Sequence, residues 1–219
     1  MAELQTLHLA HLPPDLAVHV ALYTEVQNAA YLRDQLLQGN QDFEYALIDA
    51  SVIISTTHVL AAVFRAANDH LNKRLKSRNV HSEIVFSLGA NNNIAQSLRS
   101  FGITAMTSNL LAIKLSTDPS ITSLTVSQHL STSIKGTLVE FSDANLANTA
   151  DIAKIKKLYR LGGIGDDGNK GRRRRKDGSE EGSHLSDGLN DKEKGGGAER
   201  ERKELEVAIL GLVALRGAV

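Results

Sequence analysis

Hydrophobic and polar residues alternate most regularly at the start of the segment from His81 to Ile103. Within Ser82–Leu88, the apolar residues Ile84, Phe86 and Leu88 occupy every second position. This spacing places them on one face of an extended chain, which is typical of a strand with one buried side. The pattern therefore predicts a strand from Ser82 to Leu88.

A helix is predicted directly after this strand. Gly89 interrupts the alternation, and Asn91–Asn93 provide short side chains that can accept hydrogen bonds from the first turn of a helix. The helix is expected over Ile94–Phe101, with Leu98 on the apolar stripe that packs on the preceding strand. Gly102 is expected to end it in the left-handed conformation. The segment is thus predicted to be a strand, turn and helix unit.

The N-terminal part predicts a hairpin and a helix. Leu4–Leu12 and Ala17–Tyr23 both alternate, and two prolines between them favour a turn, so the two runs are expected to pair in antiparallel fashion. Asn28 is suited to cap a helix that ends near Gly39, a residue that can adopt the left-handed conformation.

The next segments predict a long amphipathic helix. Phe43–Ile54 has a block of apolar residues without clear periodicity, and a short helix or irregular segment is expected there. Ser55 or Thr56 is expected to cap the long helix that follows. The residues on its apolar side are Val59, Leu60, Val63, Phe64, Ala67, Leu71 and Leu75.

Four further elements are predicted before residue 163. The nearly continuous apolar character of Asn109–Leu115 favours a central strand. Leu124–Ile134 has helical spacing, and Thr137–Phe141 is either a short strand or a loop. Thr149 is expected to cap a helix over Ala150–Leu161.

The C-terminal part divides into two regions of contrasting composition. Residues 164–199 are rich in glycine and charge and nearly devoid of apolar residues, so they are expected to be a disordered insert. Residues 200–219 contain the apolar run Glu204–Leu215, which predicts a final helix. We therefore expect one α/β (α+β) core domain over residues 1–163. It has a small mixed or antiparallel sheet of four to five strands with helices packed on it.

Composition narrows the classes of function. Lysine and arginine number 25, as do aspartate and glutamate, so any contact with nucleic acid must come from a local cluster. Cysteine is absent, which excludes disulfides and cysteine-ligated metals. No apolar run approaches the length of a membrane span, and no signal peptide is recognisable, so an intracellular protein is expected.

Motifs for cofactors and metals are weak. Gly163–Gly168 matches G-x-G-x-x-G, but it follows a predicted helix instead of a strand, and so it does not indicate a dinucleotide site. His8 and His11 are separated by two prolines from the nearest downstream carboxylate, Asp15. No serine lies in a nucleophile elbow. We expect no cofactor, no metal and no catalytic residue.

Two groups are candidates for contact with RNA. Lys73, Arg74, Lys76 and Arg78 form a basic group at the end of the long helix, where cations either complement the helix dipole or contact phosphate. Asn91, Asn92 and Asn93 either cap the helix or bind a phosphate, a carboxylate or a partner backbone. The run Arg172–Lys176 is compatible with a nuclear import signal, an RNA contact or a solvated linker.

The segment from His81 to Ile103 also resembles a known family. The signature of the kinase-binding subunit of the KEOPS (EKC) complex is similar to Glu83-Ile84-Val85-Phe86, Asn91-Asn92-Asn93-Ile94, Leu98 and Phe101-Gly102-Ile103. The similarity extends more loosely from about Val18 to Leu161, and it does not cover Gly165–Ala198. The resemblance implies a noncatalytic regulator that binds and activates the small atypical kinase of KEOPS.

The same resemblance implies partners and a location. It implies a contribution to threonylcarbamoylation of tRNA adenosine 37, with the tRNA 3′ end held for the catalytic subunit of the complex. It also implies a location in the nucleus and cytoplasm, and a role in telomere maintenance is implied for fungal relatives.

The final helix is the expected kinase-binding element. It is apolar around most of its circumference, so one packing surface cannot cover it. The expected kinase-binding residues are Leu205, Ile209, Leu210, Leu212 and Val213. The alternatives are that the helix only completes the core, that the protein is a stand-alone RNA-binding module, or that it is a small transferase or hydrolase that uses Asn91–Asn93.

Overall fold

The computed structural model describes residues 3–162 and 191–216, which form an antiparallel five-stranded sheet and eight helices. The strands are β1 (Gln5–Leu7), β2 (Val18–Thr24), β3 (Ala46–Asp49), β4 (Leu110–Leu115) and β5 (Thr137–Val139). The helices are α1 (Ala29–Leu37), α2 (Thr56–Leu71), α3 (Val80–Leu88), α4 (Ile94–Phe101), α5 (Ser123–Ser133), α6 (Asp143–Thr149), α7 (Ile152–Tyr159) and α8 (Asp191–Leu215). The predicted fold class is confirmed.

Strands β2 and β4 form the centre of the sheet. The strand order is β1-β2-β4-β3, and β5 also pairs with β2, beyond the end of β1. All of these pairings are antiparallel. The predicted hairpin of β1 and β2 and the central position of β4 are therefore confirmed.

Helices cover both faces of the sheet. Because side chains alternate along a strand, β2 directs Val20 and Leu22 to one face and Ala21 and Tyr23 to the other. The first face carries the larger core, to which α2, α3, α7 and α8 contribute, and the second is covered by α1 and α5. The result is a three-layer domain in which α8 completes the larger core.

The strand predicted over Ser82–Leu88 is wrong, because this segment is helix α3. Asn79 caps it by accepting a hydrogen bond from the backbone N–H of Ser82 at 2.8 Å. Every residue of α3 except Ser82 is buried between α2, α4 and the sheet. A helix buried all round has apolar residues on every side, so the alternation of Ile84, Phe86 and Leu88 carried no information about its period.

Two further elements differ from the prediction. Phe43–Ile54 contains strand β3 between two 3₁₀ turns, Gln41–Phe43 and Ala50–Val52, instead of a short helix. The helix predicted over Ala150–Leu161 is α7, whose N-cap is Asp151 and not Thr149. Helix α6 precedes it and was not predicted, since Asp143–Thr149 has a single buried apolar residue.

The predicted helix after the asparagines is confirmed as α4, with Asn93 as its cap. Two details differ. Leu98 is exposed instead of packed in the core. Gly102 has φ −71° rather than a left-handed conformation, because Ile103 continues in an extended path that bonds to the carbonyl of Leu47. Gly39, with φ +71°, does take the left-handed conformation predicted for it.

Helix α8 begins at Asp191, inside the segment 164–199 that was predicted to be an insert. Oppositely charged side chains four residues apart, Arg200 with Glu204 and Glu199 with Lys203, favour helix in this polar part. The rest of the predicted insert, residues 164–190, lies outside the described residues, and the run Arg172–Lys176 lies within this part.

Candidate functional site

Helix α8 exposes an apolar surface, which we call the outer face. Its residues are Val207, Leu210, Gly211, Ala214 and Leu215. Val207 is 71% exposed and Leu215 62%, while Leu210 is half-buried. Apart from the backbone of α8 itself, a Cβ placed on Gly211 would meet no atom of the described residues within 4 Å. The sequence has no charged residue between Glu206 and Arg216, so the outer face is uninterrupted by charge.

The opposite side of α8 is fixed to the domain. Leu205, Ile209 and Val213 are buried in the larger core, and Arg216 is buried at the end of the helix. Arg216 donates hydrogen bonds to the carbonyls of Phe86 and Gly89, the latter at 2.9 Å, and its guanidinium stacks on the Phe86 ring. These contacts hold the outer face in a fixed orientation.

Helices α2 and α8 lie side by side. At one end, Arg202 of α8 donates to the carbonyl of Ile54, just before α2. At the other end, Arg65 of α2 donates to the carbonyls of Val213 and Arg216, each at 2.8 Å. Helix α2 adds the exposed apolar side chains of Phe64 and Leu71 to this pair of helices.

The five predicted kinase-binding residues divide into two groups. Leu205, Ile209 and Val213 are covered by the chain itself, and in this conformation they present no surface to a partner. Leu210 and Leu212 are half-buried at the borders of α8, and Leu210 belongs to the outer face. Val207 and Leu215, which are not among the five predicted residues, are the exposed large apolar residues of that face.

A pocket of about 670 Å³ lies between α1, α3 and α4. Seven aliphatic side chains contribute to its lining: Leu36, Leu37, Leu47, Val85, Leu98, Ile103 and Ala105. Leu37 is 69% exposed and Leu98 39%, so apolar surface is open to solvent at the pocket. Tyr45 adds an aromatic ring to the lining.

Three guanidinium groups line the same pocket, which we call the arginine pocket. They belong to Arg33 on α1, Arg78 before α3 and Arg99 on α4, and the lining contains one carboxylate, that of Glu44. Within residues 3–162 and 191–216, none of these arginines forms a salt bridge. Cationic groups beside exposed apolar surface suit a ligand with both phosphate and a planar apolar part.

The structure separates the residues of the predicted basic group. Helix α2 ends at Leu71, and the group lies on the loop between α2 and α3. Arg74 pairs with Asp69 at 3.3 Å, and Lys73 adopts a left-handed conformation. Of the group, only Arg78 lines the arginine pocket.

The predicted asparagine cluster is exposed and makes local hydrogen bonds. Asn93 accepts from the backbone N–H of Gln96 at 2.9 Å, and Asn91 accepts from the backbone N–H of Asn93 at 3.0 Å. Asn92 is exposed. None of the three lines the arginine pocket, so these side chains and the arginines do not form one site.

The buried groups His58, Tyr159 and His81 lie in the core and belong neither to the outer face nor to the lining of the arginine pocket. His58 hydrogen-bonds to Tyr159 at 2.9 Å, and Tyr159 donates to the carbonyl of Leu88. Burial lowers the pKa of His58 to about 4 and raises the pKa of Tyr159. The pKa of His81 is lowered to about 3, mainly by burial and also by the charge of Lys114. These groups therefore remain neutral and structural near neutral pH.

Neither a metal cluster nor a membrane-spanning helix is found in the described part of the chain. No three histidine, cysteine, aspartate or glutamate side chains come together there in a way that could hold a metal ion. No helix among those residues has the length and apolar character needed to cross a membrane.

Several residues of these sites were not found from the sequence. Arg33 and Arg99 lie on separate helices, and only their convergence with Arg78 makes them a group. Arg65 and Arg216 look like ordinary charged residues in the sequence. In the fold, Arg65 of α2 binds backbone carbonyls of α8 and the residue after it, whereas Arg216 binds backbone carbonyls at the end of α3. No local spacing connects these residues, so only the tertiary fold identifies them.

Comparison with known proteins places the chain in a family. The family model described as kinase binding protein CGI-121 matches residues 23–217. The EKC/KEOPS complex subunit Cgi121 of Aspergillus terreus is 51% identical over 215 residues, which cover 98% of this chain and 97% of that protein. The subunit of the same name from Coccidioides immitis is 47% identical over 218 residues, which cover 100% of both chains. The subunit from Aspergillus fumigatus is 58% identical over 144 residues, which cover 66% of this chain and 76% of that protein. The chain belongs to the CGI-121 family of kinase-binding proteins.

Proposed function

We propose that this protein is the kinase-binding subunit of a KEOPS complex and that the outer face of α8 is its docking surface. The kinase-binding description of the family and the names of the relatives support this assembly. The observation that carries the proposal is the uninterrupted apolar character of the outer face on a helix fixed by its opposite side. A rigid apolar helix face is a common binding element for a groove on a partner.

The energetics favour burial of this face by a partner. Val207 and Leu215 expose most of their side chains, and burial of a side chain of this size stabilises a complex by roughly 1.5–3 kcal/mol. Gly211 has no side chain, so a partner helix can approach the backbone closely at this point. Phe64 and Leu71 on the neighbouring α2 can extend the interface. Docking of a noncatalytic subunit on the kinase would then raise the kinase's activity by stabilising its active conformation.

Calorimetric titration against the atypical kinase tests the docking surface. Val207→Asp is expected to weaken binding at least about tenfold, because burial of an unpaired carboxylate costs several kcal/mol. Leu124→Asp is the matched control, since Leu124 is 66% exposed on α5, which covers the other face of the sheet. Equal affinities of the two variants for the kinase would contradict the proposal.

We further propose that the arginine pocket holds the single-stranded 3′ end of tRNA, which helps to position the tRNA for the catalytic subunit. Single-stranded RNA binds where unstacked bases pack on apolar or aromatic surface and cations contact the phosphates. The pocket supports this role with Arg33, Arg78 and Arg99 beside Leu37 and Leu98. The activity of the complex in threonylcarbamoylation of adenosine 37 is part of this proposal.

Salt dependence of RNA binding tests the pocket. Replacement of Arg33, Arg78 or Arg99 by Ala should weaken binding of tRNA and flatten the plot of log Kd against log salt by about 0.7 for each lost single-strand phosphate contact. Arg200→Ala is the control, because Arg200 is 83% exposed on α8 and outside the pocket lining. A slope that is unchanged in all three pocket variants would refute RNA binding at this site.

Three further expectations stay proposals. Lys73, Arg74, Lys76 and Asn91–Asn93 would contact tRNA outside the pocket, since all of these residues are exposed near the helices that line it. A location in nucleus and cytoplasm and a role at telomeres follow from the resemblance alone. No described contact favours a transferase or hydrolase at Asn91–Asn93, whose engaged side chains cap a helix turn.

A further inference from the structure

A buried carboxylate holds the loop that joins α2 to α3. Glu83, on α3, is 1% exposed. Its Oε2 atom accepts hydrogen bonds from the backbone N–H of Lys76 at 3.0 Å, the backbone N–H of Ser77 at 2.7 Å and the hydroxyl of Ser77 at 2.6 Å. One oxygen thus accepts three hydrogen bonds from two consecutive residues of the loop.

These bonds fix the part of the loop that leads to the arginine pocket. The hydroxyl oxygen of Ser77 also lies 3.1 Å from the carbonyl oxygen of Asn79, the residue that caps α3. Arg78 lies between the two anchored residues Ser77 and Asn79, and it lines the pocket. Without the carboxylate, two backbone N–H groups of the loop lose their acceptor, so the loop becomes free to adopt other conformations.

We propose that Glu83 is a positioning residue for RNA binding, which orders the loop so that Arg78 is presented to phosphate at the arginine pocket. This inference rests on the proposed function of that pocket. Glu83 itself is covered by the loop and by neighbouring helices, and so it acts through the loop instead of touching RNA.

Electrostatics alone predicts the opposite effect of removing Glu83. Loss of a negative charge beside a site for phosphate should strengthen RNA binding, by about twofold for one charge at about 10 Å in water without salt and by less when salt screens the charge. The positioning role predicts weaker binding, because an arginine on a disordered loop must be ordered when RNA binds. The sign of the change therefore distinguishes the two accounts.

Two substitutions at the same position separate charge from geometry. Glu83→Gln and Glu83→Ala remove the same charge, but the amide oxygen of glutamine can still accept from the loop N–H groups, whereas alanine cannot. We expect Glu83→Ala to weaken binding about tenfold, which is the size of effect expected when one well-placed contact between an arginine and a phosphate is lost. Glu83→Gln should weaken binding less than Glu83→Ala. Ser77→Ala removes only the hydroxyl donor and should have the smallest effect.

The experiment measures Kd for an RNA acceptor-stem hairpin with a single-stranded CCA 3′ end, at several salt concentrations, on the full-length chain. Arg78→Ala is measured in parallel as the direct test of the pocket. Amide hydrogen exchange of Lys76 and Ser77 reports the order of the loop, and it should accelerate at least about tenfold in Glu83→Ala if the bonds protect these amides.

The outcomes distinguish this inference from the proposed function. The positioning role is supported if Arg78→Ala weakens binding, if Glu83→Ala weakens it more than Glu83→Gln does, and if amide exchange in the loop is faster in Glu83→Ala. If Arg78→Ala weakens binding but both Glu83 variants bind equally well or more tightly than the unaltered chain, the positioning role is refuted and the pocket stands. If Arg78→Ala has no effect, the proposed RNA site itself fails. Should Glu83→Ala not fold, Glu83→Gln and Ser77→Ala decide by the same criteria.

Discussion

Replacement of Arg216, which lies just after α8, by methionine should destabilise the domain strongly. The side chain is buried, and it donates to the carbonyls of Phe86 and Gly89 at the end of α3. Methionine fills a similar volume and keeps the apolar contact with the Phe86 ring, but it has no donor.

The magnitude follows from these contacts. A hydrogen bond from a charged donor contributes about 1.5–3 kcal/mol, so two such bonds contribute about 4 kcal/mol, and the contact that methionine retains offsets a part of their loss. Phe86 keeps a second hydrogen bond to its carbonyl from the N–H of Gly89, whereas the buried carbonyl of Gly89 loses its partner. We expect the free energy of unfolding to fall by about 3 kcal/mol, which corresponds to a decrease in Tm of roughly 6–12 °C for a protein of this size.

Urea denaturation followed by circular dichroism measures this change. Arg200→Met is the control, because Arg200 is 83% exposed and forms a surface pair whose loss should change the free energy by less than about 0.5 kcal/mol. A loss below about 1 kcal/mol in Arg216→Met would refute the view that this arginine fastens α8 to the domain.

Three further predictions concern the core, pH and the outer face. Ile84→Asp should prevent folding, because Ile84 is fully buried on α3, whereas Leu98→Asp should fold with a loss below about 1 kcal/mol, as soluble expression and Tm will show. His58 and His81, with pKa values of about 4 and 3 when folded and 6.5 when unfolded, bind protons mainly in the unfolded state. The free energy of unfolding should therefore be highest above pH 6.5, and it should fall by about 1.4 kcal/mol per pH unit for each histidine as the pH is lowered toward 4. Urea titrations that give the same free energy of unfolding at pH 7 and pH 5 would contradict this. Gly211→Ala should raise the free energy of unfolding by about 0.5–1 kcal/mol, since alanine favours helix and meets no atom there; lower stability in thermal melts would oppose it.

Much of the fold was predictable where the local pattern was unambiguous. The hairpin of β1 and β2, the central strand β4 and helices α2 and α4 follow from alternation or helical spacing with suitable caps. Helix α3 was not predictable in this way, because its burial on all sides removes the contrast between apolar and polar faces. Short elements such as β3 and α6 carry too few residues to establish a period.

The candidate sites were less predictable than the fold. An uncovered apolar surface on the last helix was expected from its composition. Because the helix is apolar around most of its circumference, however, the sequence does not tell which side faces the core. The structure assigns Leu205, Ile209 and Val213 to the core and Val207 to solvent. The arginine pocket joins residues from three helices, and its convergence depends on tertiary packing that no local motif encodes.

Photo-crosslinking at the outer face tests the central claim most directly. A photoreactive phenylalanine analogue at position 207 replaces a side chain that is 71% exposed on the outer face, and the same residue at position 124 marks α5, which covers the other face of the sheet. If α8 docks on the atypical kinase, irradiation of the purified complex should join the kinase to position 207 and not to position 124. A crosslink from position 124 alone, or from neither position in a complex shown to be intact, would contradict docking through the outer face.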